Sequence, residues 1–225
     1  MIKISRKESE LVEKARQDLE KNRKNDSGYN TMNVNKALKE VFHGKCYICE
    51  NNAVTSYQID HLVPHRGNID RKYDWNNLFL CCAHCNGTKL DGYDPILNCC
   101  EIDVDQVIAF RKSGYFGIEE KIQLDILVES EAAENTKNLL MDVYYGHTPQ
   151  KKMESRILRQ ELRKDISTFK EYVREYNSLD IDEITEKEDL EKLIQRELSE
   201  TAKFAAFKRW LIRDKYPKLG KFIPA

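Results

Sequence analysis

Apolar residues at helical spacing occupy the start of the chain and its second half, and a different pattern fills residues 45–100. Leu11, Ala15 and Leu19 recur every four residues through the polar stretch 5–24, the narrow apolar stripe of a helix resting on a core. Asn25-Asp26-Ser27-Gly28 ends it with turn chemistry. Asn33 is the expected cap of a second helix carrying Val34, Leu38, Val41 and Phe42, and Gly44 sits where a helix stops. Residues 56–63 then read as a strand through Tyr57, Ile59 and Val63, closed by Pro64. A second short apolar run lies within 73–80, and a helix is expected to start after Cys82 and run through Leu90. Residues 107–110 and 115–118 flank Ser113-Gly114 as a hairpin. Beyond it, 129–145, 153–176, 186–200 and 203–213 read as helices, punctuated by Gly146, Pro149 and Asn177-Ser178. The expected class is α+β, divided into an N-terminal helical segment (1–44), a strand–loop–strand–helix core (45–100) and a mostly helical region (101–225).

Composition narrows the setting. At 225 residues, with 33% charged and 40% hydrophobic, the chain can bury a core of one large or two small domains. No apolar run approaches a membrane span, so no membrane partner is expected. The first residues lack the apolar stretch of a signal peptide, and an odd count of seven cysteines argues against a disulfide framework. A reducing, cytoplasmic setting with thiolates on metal is the expectation. The net charge of −1 is awkward for a nucleic-acid enzyme, because phosphate binding rests on cations. The last stretch offsets this locally, with Lys203, Lys208, Arg209, Arg213, Lys215, Lys218 and Lys221 against Asp214. Its aromatics, Phe204, Phe207, Trp210 and Tyr216, have the spacing of a core face more than of a base-stacking platform.

The chemistry-bearing residues cluster in the middle. Cys46-Tyr47-Ile48-Cys49 and Cys82-Ala83-His84-Cys85 are two Cys-x-x-Cys pairs, a donor set suited to tetrahedral structural Zn²⁺. Redox disulfides are the weaker alternative. Cys81 makes the register ambiguous, but only Cys82 leaves two residues before Cys85; His84 is a less favoured substitute ligand. Cys99-Cys100 reads as buried or spare thiols before a second metal site.

Between the pairs lies Asp60-His61. A carboxylate is a hard oxygen ligand for Mg²⁺ or Mn²⁺, and a neutral imidazole can deprotonate water near neutral pH. Adjacent strand residues point to opposite faces, so both can address one phosphate only where the strand bends or ends, as Pro64 allows. Alone, the pair would read as an ordinary strand end. Asn86 follows the last zinc cysteine, and its amide oxygen with Asp60 would make a sparse, oxygen-only metal site. Asn77 can bond the backbone of the loop after His61 and orient the base. His65 and Arg66 on that loop, and Lys89 on the helix, are candidate phosphate contacts or plain surface residues.

Taken together, Cys46/Cys49, Asp60-His61, Asn77-Leu78, Cys82/Cys85, Asn86 and Lys89 resemble the HNH, or ββα-metal, nuclease family over about a fifth of the chain. The resemblance implies a zinc-stapled ββα-metal core. It also implies His61 as general base, Asp60 and Asn86 as ligands of a catalytic metal, Asn77 as the orienting asparagine, and products with a 3′-hydroxyl and a 5′-phosphate. Asn86 stands where the family name has histidine, an accepted variant. A wider stretch, including the Gly44 to Glu50 run and Asp94-Pro95-Ile96-Leu97-Asn98, resembles the HNH component of Septu-type antiphage defence systems (the PtuB group). That resemblance implies a nuclease effector acting on nucleic acid, DNA first, in a complex with an ATPase subunit. The competing class is a zinc-stabilised adaptor that binds nucleic acid or protein without catalysis.

Overall fold

The structure, a computed structural model, describes residues 1–54, 56–114, 120–180 and 184–224. Helix α1 (Glu10–Arg23) begins at Ser9, whose hydroxyl accepts from the Val12 amide at 3.3 Å, and buries Val12, Ala15 and Leu19. Helix α2 (Met32–Val41) lies against it. The cap of α2 is Thr31, not the expected Asn33: Thr31 Oγ1 accepts from Val34 N at 3.2 Å, while the Asn33 amide is turned to Asp18 on α1. A capping oxygen must reach an amide two or three residues ahead, and Thr31 stands at that offset.

Strand β1 (Tyr57–His61) pairs antiparallel with β2 (Leu78–Cys82), with Asp60 opposite Phe79 and His61 opposite Leu78. The connection holds a short helix α3 (Ile69–Tyr73), which the sequence pattern does not signal, and a 3₁₀ turn at Trp75–Asn77. Helix α4 (Ala83–Lys89) leaves β2 directly, completing a strand–strand–helix unit. After the one-turn α5 (Val104–Val107), strands β3 (Ile108–Ser113) and β4 (Lys121–Ile126) form a second antiparallel pair. The second half of the expected hairpin, 115–118, lies outside the described residues; the paired strand begins at Lys121.

Helices α6 (Glu131–Tyr145), α7 (Pro149–Ser178), α8 (Ile184–Leu198) and α9 (Ala205–Lys215) follow. Pro149 opens α7 at its first turn, where a missing N–H costs nothing, under a Thr148 cap. One buried cluster runs from Met1 through the strand–strand–helix unit to Phe207; a second joins the end of α7 to α8 and α9 through Phe169, Val173, Ile194 and Ile212. The core therefore crosses residues 44/45 and 100/101 without interruption.

Glu50 is the tie among distant segments. It is 3% exposed, and its two carboxylate oxygens accept from Ile2 N and Ala206 N, each at 3.0 Å. Burial raises its pKa, but the neighbouring terminal ammonium, Lys45 and the Ala206 amide outweigh that and hold the carboxyl below its ordinary value.

Candidate active site

The four cysteines converge. Sγ atoms of Cys46, Cys49, Cys82 and Cys85 lie within 4.8 Å of one another, all in buried residues, a donor set suited to zinc. The first pair is fastened to the sheet by Tyr47 N donating to Leu80 O at 2.9 Å. The second straddles the start of α4, where Cys82 Sγ accepts from Cys85 N at 3.4 Å. Cys81, opposite Gln58, is buried beside this group but is not one of the four; burial pushes its thiol up. His84 is no ligand either, since Nδ1 faces Glu154 at 2.7 Å and Nε2 faces Val143 O at 2.8 Å.

Two rungs join β1 to α4. Gln58 and Asp60 share one face of the strand, and Asn86 and Lys89 share one face of the helix. The Asn86 amide nitrogen donates to Gln58 Oε1. The Lys89 ammonium lies 3.2 Å from Asp60 Oδ2 and donates to His61 O at 2.7 Å. Asp60 also accepts from the Tyr47 hydroxyl at 2.5 Å. Burial raises the Asp60 pKa, and Lys89 and Tyr47 oppose that rise only in part. Lys89 is 3% exposed and turned inward, so a direct reach to a backbone phosphate, one of the two readings its position allows, is not what its geometry offers.

His61 points to the other face. Its Nε2 is 3.0 Å from Lys72 O, its ring meets Tyr29 edge-on at 4.7 Å between centroids, and the His65 ring lies 4.8 Å away. Burial lowers its pKa, and the Lys72 carbonyl offsets this only partly. Asn77 fastens the loop beyond His61: Oδ1 accepts from Val63 N at 2.8 Å, while Nδ2 donates to Val63 O at 2.9 Å and Arg71 O at 3.0 Å. Asn77 O accepts from Leu62 N at 2.9 Å as well. His65 Nδ1 accepts from Gly67 N, and Arg66 is exposed at φ +45° on the same turn.

The site thus has an Asp60–Lys89–Asn86 side and a His61–Asn77–His65 side. Tyr47, Tyr29 and Gln58 are the neighbours that sequence reasoning missed. Tyr47 carried a signal, lying inside the first cysteine pair; Tyr29 comes from a distant turn and carried none. The basic last stretch is largely spent inside the protein. Lys203 and Lys208 pair with Asp165, Lys208 also with Glu197, and Arg209 and Arg213 with Asp105. Phe204 and Phe207 are core residues, and Trp210 donates to Asp105 O at 2.7 Å.

Residues 46–92 match the family model for HNH endonuclease, a span holding all four cysteines, both strands and α4, so the chain carries an HNH domain. The chain is also similar to Septu protein PtuB of Bacillus mycoides (strain KBAB4), 29% identical over 127 residues. That match covers 41% of this chain and 43% of the relative, less than half of its length. No solved structure matches the chain. Among the described residues no helix is long and apolar enough to cross a membrane.

Proposed function

We propose that the chain is a metal-dependent endonuclease that hydrolyses phosphodiester bonds of DNA, acting as the nuclease effector of an antiphage defence complex with an ATPase. The observation that carries this reading is the setting of His61. A backbone carbonyl only accepts, so the contact with Lys72 O assigns the proton to Nε2 and leaves the lone pair of a base on Nδ1. The lowered pKa keeps the ring neutral at neutral pH, the form that takes a proton from water. Asn77 positions the loop, and His65 and Arg66 stand where they can meet the charge of a phosphate.

Asp60 and Asn86 are the residues that would hold a catalytic Mg²⁺ or Mn²⁺. Both offer the hard oxygens such an ion takes and stand on neighbouring rungs, with Asn86 bonding Gln58 through its nitrogen; Asp60 is held by Lys89 and Tyr47, so an ion there would displace the Lys89 ammonium. Such an ion, held there, would supply Lewis-acid stabilisation of the phosphate and of the leaving 3′ oxygen. Lys89 balances the charge of Asp60 in the same place, and its bond to His61 O keeps the end of β1 in position.

The paired state of Lys203, Lys208, Arg209 and Arg213 supports dependence on a partner. Cations committed to internal carboxylates add little to phosphate affinity, so a second protein would supply the grip on the backbone.

Cleavage of single- and double-stranded DNA, and of RNA, measured with Mg²⁺ and with or without the candidate ATPase, tests the reading. We expect DNA cleavage with the partner, weak cleavage without it, and loss of cleavage in His61→Ala with binding retained. No cleavage under any combination would leave the zinc-stabilised adaptor. Full activity of the isolated chain, with no complex formed, would refute the partner.

A further inference from the structure

Arg6 has no carboxylate partner among the described residues. Its guanidinium lies 4.7 Å, 5.3 Å and 5.4 Å from the ring centroids of Phe79, Trp75 and Phe42. Nη1 donates to Trp75 O at 3.1 Å, Nη2 to Leu78 O at 2.7 Å, and Nε to Cys100 Sγ at 3.3 Å. Of these acceptors only the sulfur can become an anion. A partly buried cation among rings and carbonyls favours a counter-charge, and Cys100 is the group placed to supply it.

The next residue back in the chain is a second cysteine. Cys99 is buried, with its carbonyl accepting from Ile4 N at 2.8 Å, whereas Cys100 is partly exposed. The Cys99 thiol and then Arg6, acting against burial, bring the Cys100 pKa down to about 7. Cys99 itself is pushed well up and keeps its proton. Neither residue belongs to the zinc cluster.

We propose that Cys99-Cys100 is an oxidant-sensitive site, in which Cys100 reacts with a hydroperoxide and Cys99 resolves the product to a reversible disulfide. In the first step the Cys100 thiolate attacks one oxygen of hydrogen peroxide. The O–O bond breaks, hydroxide leaves, and the sulfur, oxidised by two electrons, becomes a sulfenic acid. In the second step Cys99 sulfur gives up its proton and attacks Cys100 sulfur. The S–O bond breaks, the S–S bond forms, and the departing hydroxide takes the proton as water.

A peptide bond holds neighbouring Cα atoms about 3.8 Å apart, closer than an ordinary disulfide allows. The resulting ring is strained and returns readily to thiols, which makes it a switch and not a staple. Oxidation also deprives Arg6 of its counter-charge, at the residue that holds Trp75 O and Leu78 O on either side of Asn77. This site stands independently of the proposed nuclease reaction.

The test treats the zinc-loaded full chain with limiting hydrogen peroxide and maps the cysteines by alkylation and peptide mass. We expect loss of two hydrogens from the peptide carrying Cys99 and Cys100, reversed by dithiothreitol. Cys46, Cys49, Cys82 and Cys85 should remain alkylatable after denaturation. Cys99→Ser should stop at a sulfenic acid that dimedone traps on Cys100. Arg6→Met should slow Cys100 alkylation at neutral pH about tenfold. If that variant does not fold, the pH dependence of Cys100 alkylation in the parent decides. A midpoint near about 7 supports the site; one at the ordinary thiol value of about 8.5 overturns it. Oxidation of the zinc cysteines ahead of the pair would overturn it too.

Discussion

Lys89 and Asp60 form an ion pair across the strand–helix unit, with Nζ 3.2 Å from Oδ2 and side chains only 4% and 8% exposed. The two charges lie beside Tyr47, and the lysine also bonds the carbonyl of His61. Removing one member of such a pair leaves the other buried without a partner. Lys89→Met should therefore cost about 3–5 kcal/mol. Urea unfolding of the zinc-loaded protein measures it, and Lys89→Met with Asp60→Asn should recover part of the loss. Equal stability of Lys89→Met and the parent would mean that the pair is not formed in solution.

The metal cluster makes a prediction about neighbouring cysteines. Cys82→Ala should lose zinc and unfold the core, because structural zinc contributes folding free energy directly. Cys81→Ala, one residue away, should keep about one zinc per chain. Elemental analysis of the two purified variants distinguishes them, and the reverse pattern would move the ligand to Cys81.

In the proposed reaction His61 would set an acid limit on activity, alongside the limit that its burial sets on stability. Its folded pKa lies below the ordinary value near 6.5, so the folded state favours the neutral ring. The contribution to stability is present above about pH 6.5 and is lost as pH falls from there through the lowered folded pKa. Cleavage should fall over the lower part of that window, where the folded ring takes its proton. A pH–rate profile checks this, and an acid limb centred above about 6.5 would contradict it.

Asn77 should matter to rate more than its distance from solvent implies. Its side chain makes three hydrogen bonds to Val63 and Arg71. Asn77→Ala should cost about 1–3 kcal/mol of stability through unsatisfied backbone groups. It should also lower kcat while leaving KM nearly unchanged, since the loop bearing His65 loosens but the phosphate contacts remain. A change confined to KM would assign Asn77 to binding.

What the sequence reveals of this site depends on how local each relationship is. The four-cysteine set and the strand–strand–helix order follow from short spacings, and the bonds of Asn77 follow from its place at the entry to β2. The inward turn of Lys89 does not, because it depends on how α4 is rotated against β1. The contact of the Asn86 amide nitrogen with Gln58 is hidden for the same reason. The basic last stretch misleads for the opposite reason. Its acidic partners, Asp103, Asp105, Asp165 and Glu197, come from α7, α8 and the segment before β3, and no local window contains them.

Glu50 has one further consequence, for the order in which the protein is made. It directly follows the first zinc pair, yet one of its carboxylate oxygens waits for the amide of Ala206. The knuckle cannot complete its packing until that residue has left the ribosome, and contacts across so long a stretch form slowly. The strand–strand–helix unit, early in the chain, is thereby finished late, so a chain cut short during synthesis carries every residue of the matched span 46–92 without its mature core.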